Sequence, residues 1–134
     1  MTNKRVMVDM SATLLHHWHI RLLKKAKEYW KVVVWLTTDE EIKNKKWYTP
    51  ELNFEQRKEI LEAIKYVDEV VPTPWLITDD ILDKCNIDIL IHWNDNSNQI
   101  KRHKVIIFER TEWISSTELR KRVLEWIIEK YLEN

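Results

Sequence analysis

The sequence contains no glycine among its 134 residues, and only one cysteine and three prolines. Ordinary glycine usage of about 7% would give roughly nine in a chain of this length. The lone Cys85 excludes an internal disulfide framework, and without a long apolar run or a signal-peptide pattern we expect a cytoplasmic protein. Lysine plus arginine equals aspartate plus glutamate at 22 each, so bulk charge does not indicate binding to nucleic acid or to a membrane.

The chain has the length of one domain, and we expect residues 1–134 to bury roughly 65–70% of the surface that the unfolded chain exposes. Short apolar runs alternate with segments of helical periodicity. These patterns predict strands over 4–10, 31–38, 68–72, 87–92 and 104–109, and helices over 16–29, 53–66, 76–85 and from residue 115 onward.

Two of these helices begin with recognisable caps. Asn53 is followed three residues later by Gln56, which is the spacing of a capping box. Ser115 is the predicted cap of the last helix. The apolar side chains of that helix fall on one side, and they are Leu119, Val123, Ile127 and Tyr131.

Strands that are apolar on both faces and alternate with helices predict an α/β fold with a parallel sheet covered on both sides. We therefore expect a three-layer sandwich of about five parallel strands in the order 3-2-1-4-5. Ligands of such sheets bind beyond the carboxyl ends of the strands. The polar clusters fall at these places, since SATLLHHWH, TTDE, HWNDN and RTEWISST each follow a predicted strand.

Two histidines mark the start of the first predicted helix, within the segment LLHHWHIRLL. His16 and His19 are three residues apart and should project from one face of the first turn. Free N–H groups and the positive dipole end make a helix N-terminus a binding place for phosphate. The indole of Trp18, wedged between the two histidines, does not fit this interpretation. The alternatives are a surface histidine cluster or, together with His92, a zinc site.

Three segments in register resemble the cytidylyltransferase family, in particular the glycerol-3-phosphate cytidylyltransferases of the HxGH nucleotidyltransferase superfamily. They are LLHHWHIRLLKKAKEYWKVVVWLTTDEE, EQRKEILEAIKYVDEVVP and RTEWISSTELR, and the similarity extends over about residues 4 to 123. The resemblance implies a Rossmann-like fold, usually a homodimer. It also implies a reaction in which CTP and a phosphorylated alcohol give a CDP-alcohol and pyrophosphate, assisted by Mg²⁺.

The resemblance assigns roles that suit phosphoryl-type transfer, in which positioning and charge neutralisation supply most of the rate. His16 and His19 would bind the triphosphate and stabilise charge in the transition state. Lys46 and Arg110 would neutralise phosphate charge, the lysine from a loop that can close. The other nucleotide-binding residues that we expect are Ser11, Lys43, Lys45, Asp95, Thr111, Ile114, Ser115, Ser116 and Thr117.

Two residues resemble the family's binding site for the acceptor's phosphate. Arg57 matches an arginine of the family, and Lys65 replaces a second one, so it would bind as a point charge. Less specific interpretations remain open: Arg57 could pair with a neighbouring carboxylate, Ser115 could be a plain helix cap, and the lysine run could be a solvated loop.

The chain also departs from the family. The first strand of the family usually ends in GTFD, where this chain has residues 10–13, MSAT. That loss leaves an adenylyltransferase of the same superfamily as an alternative.

Tryptophan occurs eight times, and six of the eight stand where the family has glycine or a small residue. They are Trp18, Trp30, Trp35, Trp47, Trp93 and Trp113. With no glycine in the chain, we hypothesise a systematic glycine-to-tryptophan substitution, either engineered or introduced into the sequence record. A natural tryptophan-rich relative is the alternative. The hypothesis predicts a left-handed backbone at Trp30, and a chain that carries all six is expected to be a destabilised, catalytically silent scaffold.

Overall fold

Five strands of the described chain form one sheet in which all neighbours run parallel. A computed structural model describes residues 4–73, 76–93, 100–108 and 115–132. The order is β3-β2-β1-β4-β5, so the predicted α/β fold and strand order are confirmed. The strands are β1 (Lys4–Met10), β2 (Trp30–Thr37), β3 (Glu69–Thr73), β4 (Ile89–Trp93) and β5 (Lys104–Phe108).

The helices of the described chain alternate with these strands. They are α1 (His17–Lys27), α2 (Asp39–Lys46), α3 (Phe54–Glu62), α4 (Asp79–Lys84) and α5 (Ser116–Ile127), the last continuing into a π-helical turn at Ile128–Leu132. Helices α1, α3 and α4 end before their predicted limits, because the next backbone N–H group donates to the carbonyl three residues earlier instead of four. The amides of Glu28, Ala63 and Asn86 bond in this way.

The predicted caps are confirmed at atomic detail. The Gln56 amide donates to Asn53 Oδ1 over 2.9 Å, and the Asn53 amide donates to Gln56 Oε1 over 3.0 Å. The amide of Glu118 donates to Ser115 Oγ over 3.1 Å. Each of these contacts satisfies a helix N–H group that has no partner within its own helix.

The core lies on both faces of the sheet because neighbouring residues of a strand point in opposite directions. Val6 and Val8 of β1 are fully buried in a cluster with Leu22 of α1 and residues of α3. Met7, between them, belongs to a second cluster with Leu82 of α4. The sheet is therefore covered on both sides, as predicted.

Residues 39–46 form a helix, α2, so the expectation that Lys46 lies in a loop that can close is wrong. The helix begins where Thr38 Oγ1 accepts a hydrogen bond from the Glu41 amide over 3.3 Å. Acidic residues occupy its first turn and lysines its last, which complements the helix dipole. Ile42 is its one fully buried anchor among otherwise exposed or half-buried side chains. Polar composition concealed this helix, although the cap and the charge order were visible in the sequence.

The predicted left-handed backbone at Trp30 is also wrong. Trp30 begins β2 two residues after the C-cap of α1. Among the described residues, positive φ angles occur at Ala12 (47°), Trp47 (61°) and Asn86 (57°). Trp47 is the left-handed C-cap of α2, and its side chain is 87% exposed. A side chain in this conformation costs roughly 1–2 kcal/mol.

Helix α5 differs from the others because none of its residues is buried. On its apolar side Val123 is 53% exposed, and Tyr131 in the following π-helical turn is 61% exposed. Apolar burial therefore contributes little to holding α5 in its position. In the described part of the chain, no helix combines the length and the apolar character needed to cross a membrane.

Candidate active site

The two predicted histidines meet at the start of α1. His16 is its N-cap residue, and the His16 amide donates to Nδ1 of His19 over 3.1 Å. Their ring centroids are 4.1 Å apart, and His19 is only 6% exposed. The indole of Trp18 does not separate the two rings; it packs against the core, with the guanidinium of Arg21 4.9 Å from its ring centroid. The steric objection raised by Trp18 in the sequence is thereby removed for this pair of histidines.

The hydrogen bond to His19 determines where a neutral imidazole carries its proton. Because Nδ1 accepts the backbone hydrogen bond, the proton of the neutral ring sits on Nε2. An N–H donor at Nε2, beside the positive end of a helix, is suited to a phosphate oxygen. His19 is thus held in one tautomer by the backbone of the residue with which it is predicted to act.

The N-terminus of α5 lies close to the loop that leads into α1. The Ser116 hydroxyl accepts a hydrogen bond from the Leu14 amide and donates one to the Leu14 carbonyl, each over 3.1 Å. Leu14 stands two residues before His16, so the first turns of both helices lie at one edge of the sheet. The Ser116 hydroxyl donates to the Leu14 carbonyl, whereas Ser115 Oγ accepts from the Glu118 amide and keeps its own O–H as a donor. The groups suited to an anion are therefore the Ser115 O–H, the first N–H groups of the helix and the exposed Thr117.

Tyr48 connects several parts of this edge, and sequence reasoning missed it. Its hydroxyl donates to Thr13 Oγ1 over 3.4 Å and accepts from Arg120 Nη2 over 3.4 Å. It follows Lys46 by two residues, so the C-terminal turn of α2 approaches the same edge. Lys43, Lys45 and Lys46 are all exposed on that helix, which makes them side chains of an ordered turn and not of a closing loop.

Arg57 is buried inside the protein at 1% exposure and binds four protein groups. Its Nη1 donates to the carbonyls of Ser11 (2.7 Å) and Thr37 (2.9 Å), which follow or end β1 and β2. Nη2 contacts Asp39 Oδ1 over 2.7 Å, and Nε donates to the Leu52 carbonyl over 3.1 Å. These contacts do not fit the expected binding of the acceptor's phosphate; they fit the alternative of an ion pair with a carboxylate. Ser11 is correspondingly held by its carbonyl and by a 3.4 Å hydrogen bond from its hydroxyl to Thr37.

Lys65 is not brought to the site within one chain. It lies in the turn before β3, at the amino end of that strand, whereas His16 follows the carboxyl end of β1. Its ammonium group is 5.2 Å from the ring centroid of Tyr66. Because the strands are parallel, Lys65 and His16 occupy opposite edges of the sheet.

The zinc site considered for His92 does not form in the described chain, where no group of three or more histidine, cysteine or acidic side chains could hold a metal ion. His92 instead contacts Asp9, with Nδ1 and Oδ1 2.5 Å apart. The residues Asp95, Arg110, Thr111, Trp113 and Ile114, and the side chain of Trp93, lie outside the described part of the chain, so their predicted places stay predictions.

Comparison with known proteins bears on this arrangement. The family model described as cytidylyltransferase-like matches residues 13–122. The chain belongs to the cytidylyltransferase-like family. The sequence-based assignment is confirmed, and the match includes His16, His19, Tyr48 and Arg120.

Several curated relatives resemble this cytidylyltransferase-like chain along most of its length. The glycerol-3-phosphate cytidylyltransferase of Staphylococcus aureus is 38% identical over 128 residues, covering 90% of this chain and 95% of the relative. The enzyme of that name from Bacillus subtilis is 38% identical over 129 residues, covering 90% and 97%. The ethanolamine-phosphate cytidylyltransferase of Dictyostelium discoideum is 36% identical, and there the match covers 92% of this chain but 38% of the longer relative.

A solved structure supports the fold independently. The lipopolysaccharide core biosynthesis protein of Thermoplasma volcanium superposes with a TM-score of 0.68 at 20% identity, covering 81% of this cytidylyltransferase-like chain and 98% of that protein. At this identity the likeness concerns the fold alone.

Proposed function

We propose that this protein transfers a cytidylyl group from CTP to a small phosphorylated alcohol of the glycerol-3-phosphate type and releases pyrophosphate. The observation that carries the proposal is the meeting of two helix N-termini, with His16 and His19 on one and Ser115 to Thr117 on the other. Two helix N-termini beside two imidazoles suit a polyphosphate, because the dipole of each helix is positive at that end. The glycerol-3-phosphate cytidylyltransferases that resemble the chain over nine-tenths of its length support the choice of substrates.

In the proposed reaction a phosphate oxygen of the acceptor attacks the α-phosphorus of CTP. A new P–O bond forms as the bond to the β-phosphate oxygen breaks, and pyrophosphate leaves with the electron pair, so no covalent enzyme intermediate is needed. The Nε2–H group of His19 would donate to a phosphate oxygen as charge develops, and Lys46 would neutralise charge from the end of α2. Arg110 is proposed to act with them.

Mg²⁺ is proposed to assist by neutralising phosphate charge. In nucleotide sites this ion is usually held by substrate phosphates and water with one or two carboxylates, not by a dedicated protein cage. Binding of that kind needs no protein site of three ligands. The nearby side chains would then orient the nucleotide that carries the ion.

We further propose that the protein works as a homodimer in the cytoplasm. A second copy would cover the apolar surface of α5, where Leu124 and Trp126 are 56% and 52% exposed. This surface adjoins an apolar groove of about 740 Å³. The groove is lined by Leu14, Leu15, Leu52, Ile60, Leu119, Arg122, Val123 and Trp126. Burial of such side chains is a usual feature of homodimer interfaces.

The function is tested by measuring pyrophosphate release from CTP with glycerol 3-phosphate and Mg²⁺, with ATP in place of CTP as the comparison. We expect activity with CTP, and a loss of ~10²-fold or more in kcat for His16→Ala and for His19→Ala, the size typical of preorganised charge-stabilising donors. His17→Ala is the matched control, because His17 is exposed beside the pair and has no proposed role. Normal turnover in both histidine variants would remove them from the mechanism, and turnover with ATP alone would identify an adenylyltransferase.

A catalytically silent scaffold is the second candidate, and it is favoured by one observation. Trp47 occupies a left-handed position that suits glycine, as the glycine-to-tryptophan hypothesis requires. Isothermal titration with CTP and Mg²⁺ separates the two candidates, since a silent scaffold would show no heat of nucleotide binding. An intact mass, compared with the mass of the sequence as written, shows whether the indoles are present in the molecule.

A further inference from the structure

We propose that Arg120, Glu51 and Tyr48 form a clamp that positions the N-terminal turn of α5 against the histidines of α1, and that Arg120 is a positioning residue for nucleotide binding. The role in nucleotide binding rests on the proposed function. The clamp itself does not, because it can be measured without turnover.

The clamp begins with an ion pair of fixed geometry. Arg120 on α5 donates from both Nε and Nη2 to the two carboxylate oxygens of Glu51, and the Nη2 contact is 2.6 Å. Two parallel hydrogen bonds between a guanidinium and a carboxylate define an orientation as well as a distance. Glu51 lies in the segment between α2 and α3, so the pair joins α5 to a part of the chain 69 residues away in sequence.

Tyr48 extends this ion pair into the site. The guanidinium carbon of Arg120 lies 4.7 Å from the centroid of the Tyr48 ring, within the range of a cation–π contact. The Tyr48 hydroxyl continues to Thr13, which is 3% exposed and stands three residues before His16. A continuous path of polar contacts therefore runs from α5 to the loop that carries the first histidine.

The burial pattern shows why such a clamp is needed. Helix α5 has no buried residue, in contrast to α1, where four are buried. Apolar packing thus constrains α5 weakly, and among the described residues it is hydrogen-bonded to the site through the Ser116–Leu14 contact and the clamp. A helix whose N–H groups must meet a phosphate within hydrogen-bond distance needs a fixed position, since a displacement of 1 Å is costly to binding geometry.

The electrostatics agree with a pair that is formed at neutral pH. The hydrogen bond from Arg120 lowers the pKa of Glu51 below its ordinary value, and the same pair raises the pKa of Arg120. A carboxyl group with a lowered pKa in the folded protein contributes stability above its unfolded pKa and loses it as pH falls. The clamp is therefore closed throughout the neutral range.

The experiment compares Arg120→Gln and Glu51→Gln with the control Lys121→Gln. Lys121 is the next residue on α5, its side chain is exposed, and it is not among the residues that line the apolar groove. The first readout is amide hydrogen exchange of the peptide that contains residues 116–119. We expect the amides of this peptide to exchange faster than in the wild type in both clamp variants, and at the wild-type rate in the control.

The second readout is steady-state kinetics with CTP. We expect KM for CTP to rise roughly fivefold in Arg120→Gln with a smaller change in kcat, because a contact of this kind positions binding groups without touching the reacting atoms. The double variant should show no more than the larger single effect, because both changes break one contact. Unchanged exchange in both clamp variants, or equal effects in the control, would overturn the clamp. An inactive wild-type protein with the expected exchange pattern would refute the proposed function and leave the clamp intact.

Discussion

Replacement of Arg57 by methionine tests whether this residue holds the site together or binds substrate. Arg57→Met keeps most of the side-chain volume and removes all of the N–H donors. The carbonyls of Ser11 and Thr37 and one oxygen of Asp39 then lose a partner that lies within 2.9 Å of each. These three groups lie at the carboxyl ends of β1 and β2 and at the start of α2, so the substitution acts on the backbone that supports the candidate site.

The size of the effect follows from burial. Breaking a buried ion pair by removing one partner costs about 3–5 kcal/mol. The side chain of Asp39 is 33% exposed, so water replaces part of the lost contact, and we expect a value near 3 kcal/mol. With a urea m-value of about 1–3 kcal/mol/M for a small protein, the unfolding midpoint should fall by roughly 1–3 M.

Urea unfolding followed by tryptophan fluorescence measures this shift, together with the KM for the acceptor. Arg122→Gln is the control, since an exposed ion pair along a helix should change the free energy of unfolding by about 0.5 kcal/mol or less. A midpoint for Arg57→Met within the error of the wild type, together with a large rise in KM for the phosphorylated alcohol, would refute the structural role. That result would restore Arg57 to the acceptor site.

Three further results are expected. Trp47→Gly should raise the free energy of unfolding by up to about 1 kcal/mol, because the left-handed backbone no longer carries a side chain. Trp30→Gly, in an extended backbone, should lower it by about 0.5–1 kcal/mol; urea unfolding measures both, and the opposite order of stabilities would contradict this prediction. The hydrogen bond with His103 lowers the pKa of Asp79, so this carboxylate stabilises the fold above its unfolded pKa of about 4, and the contribution is lost as pH falls. Asp79→Asn should therefore make the free energy of unfolding less dependent on pH below 4, and an unchanged pH dependence would count against the contact. Leu124→Ser should shift the mass measured by light scattering from dimer to monomer, and a monomeric wild type would exclude the proposed dimer.

Local features of the sequence were enough to predict most of the architecture. Alternating apolar strands and amphipathic helices predict a parallel sheet because such strands must be covered on both faces. Asn53 with Gln56, and Ser115, were recognisable as caps because their hydrogen bonds reach only three residues along the chain. The helix over 39–46 was missed because its single buried residue, Ile42, gives no periodic apolar pattern.

Part of the candidate site was predictable for the same local reason. His16 and His19 lie on one turn of a helix, so their spacing in sequence already specifies that the rings meet. Trp18 shows the limit of this reasoning. Its neighbours in sequence suggested a wedge between the histidines, and only its packing against the core shows that it lies elsewhere.

The sequence by itself determined the strands, the caps and the histidine pair, because each depends on contacts within a few residues or on the periodicity of one segment. The order of the sheet rests on long-range pairs such as Val6 with Ile89, and it was predictable because alternating strands and helices form few kinds of parallel sheet. Only the tertiary structure decided that Arg57 donates to the backbone carbonyls at the ends of β1 and β2, and that Tyr48 and Arg120, 72 residues apart in sequence, are hydrogen-bonded. A side chain with several donors has no preferred partner in the linear sequence. Its role depends on which distant carbonyls and carboxylates folding brings within hydrogen-bond distance.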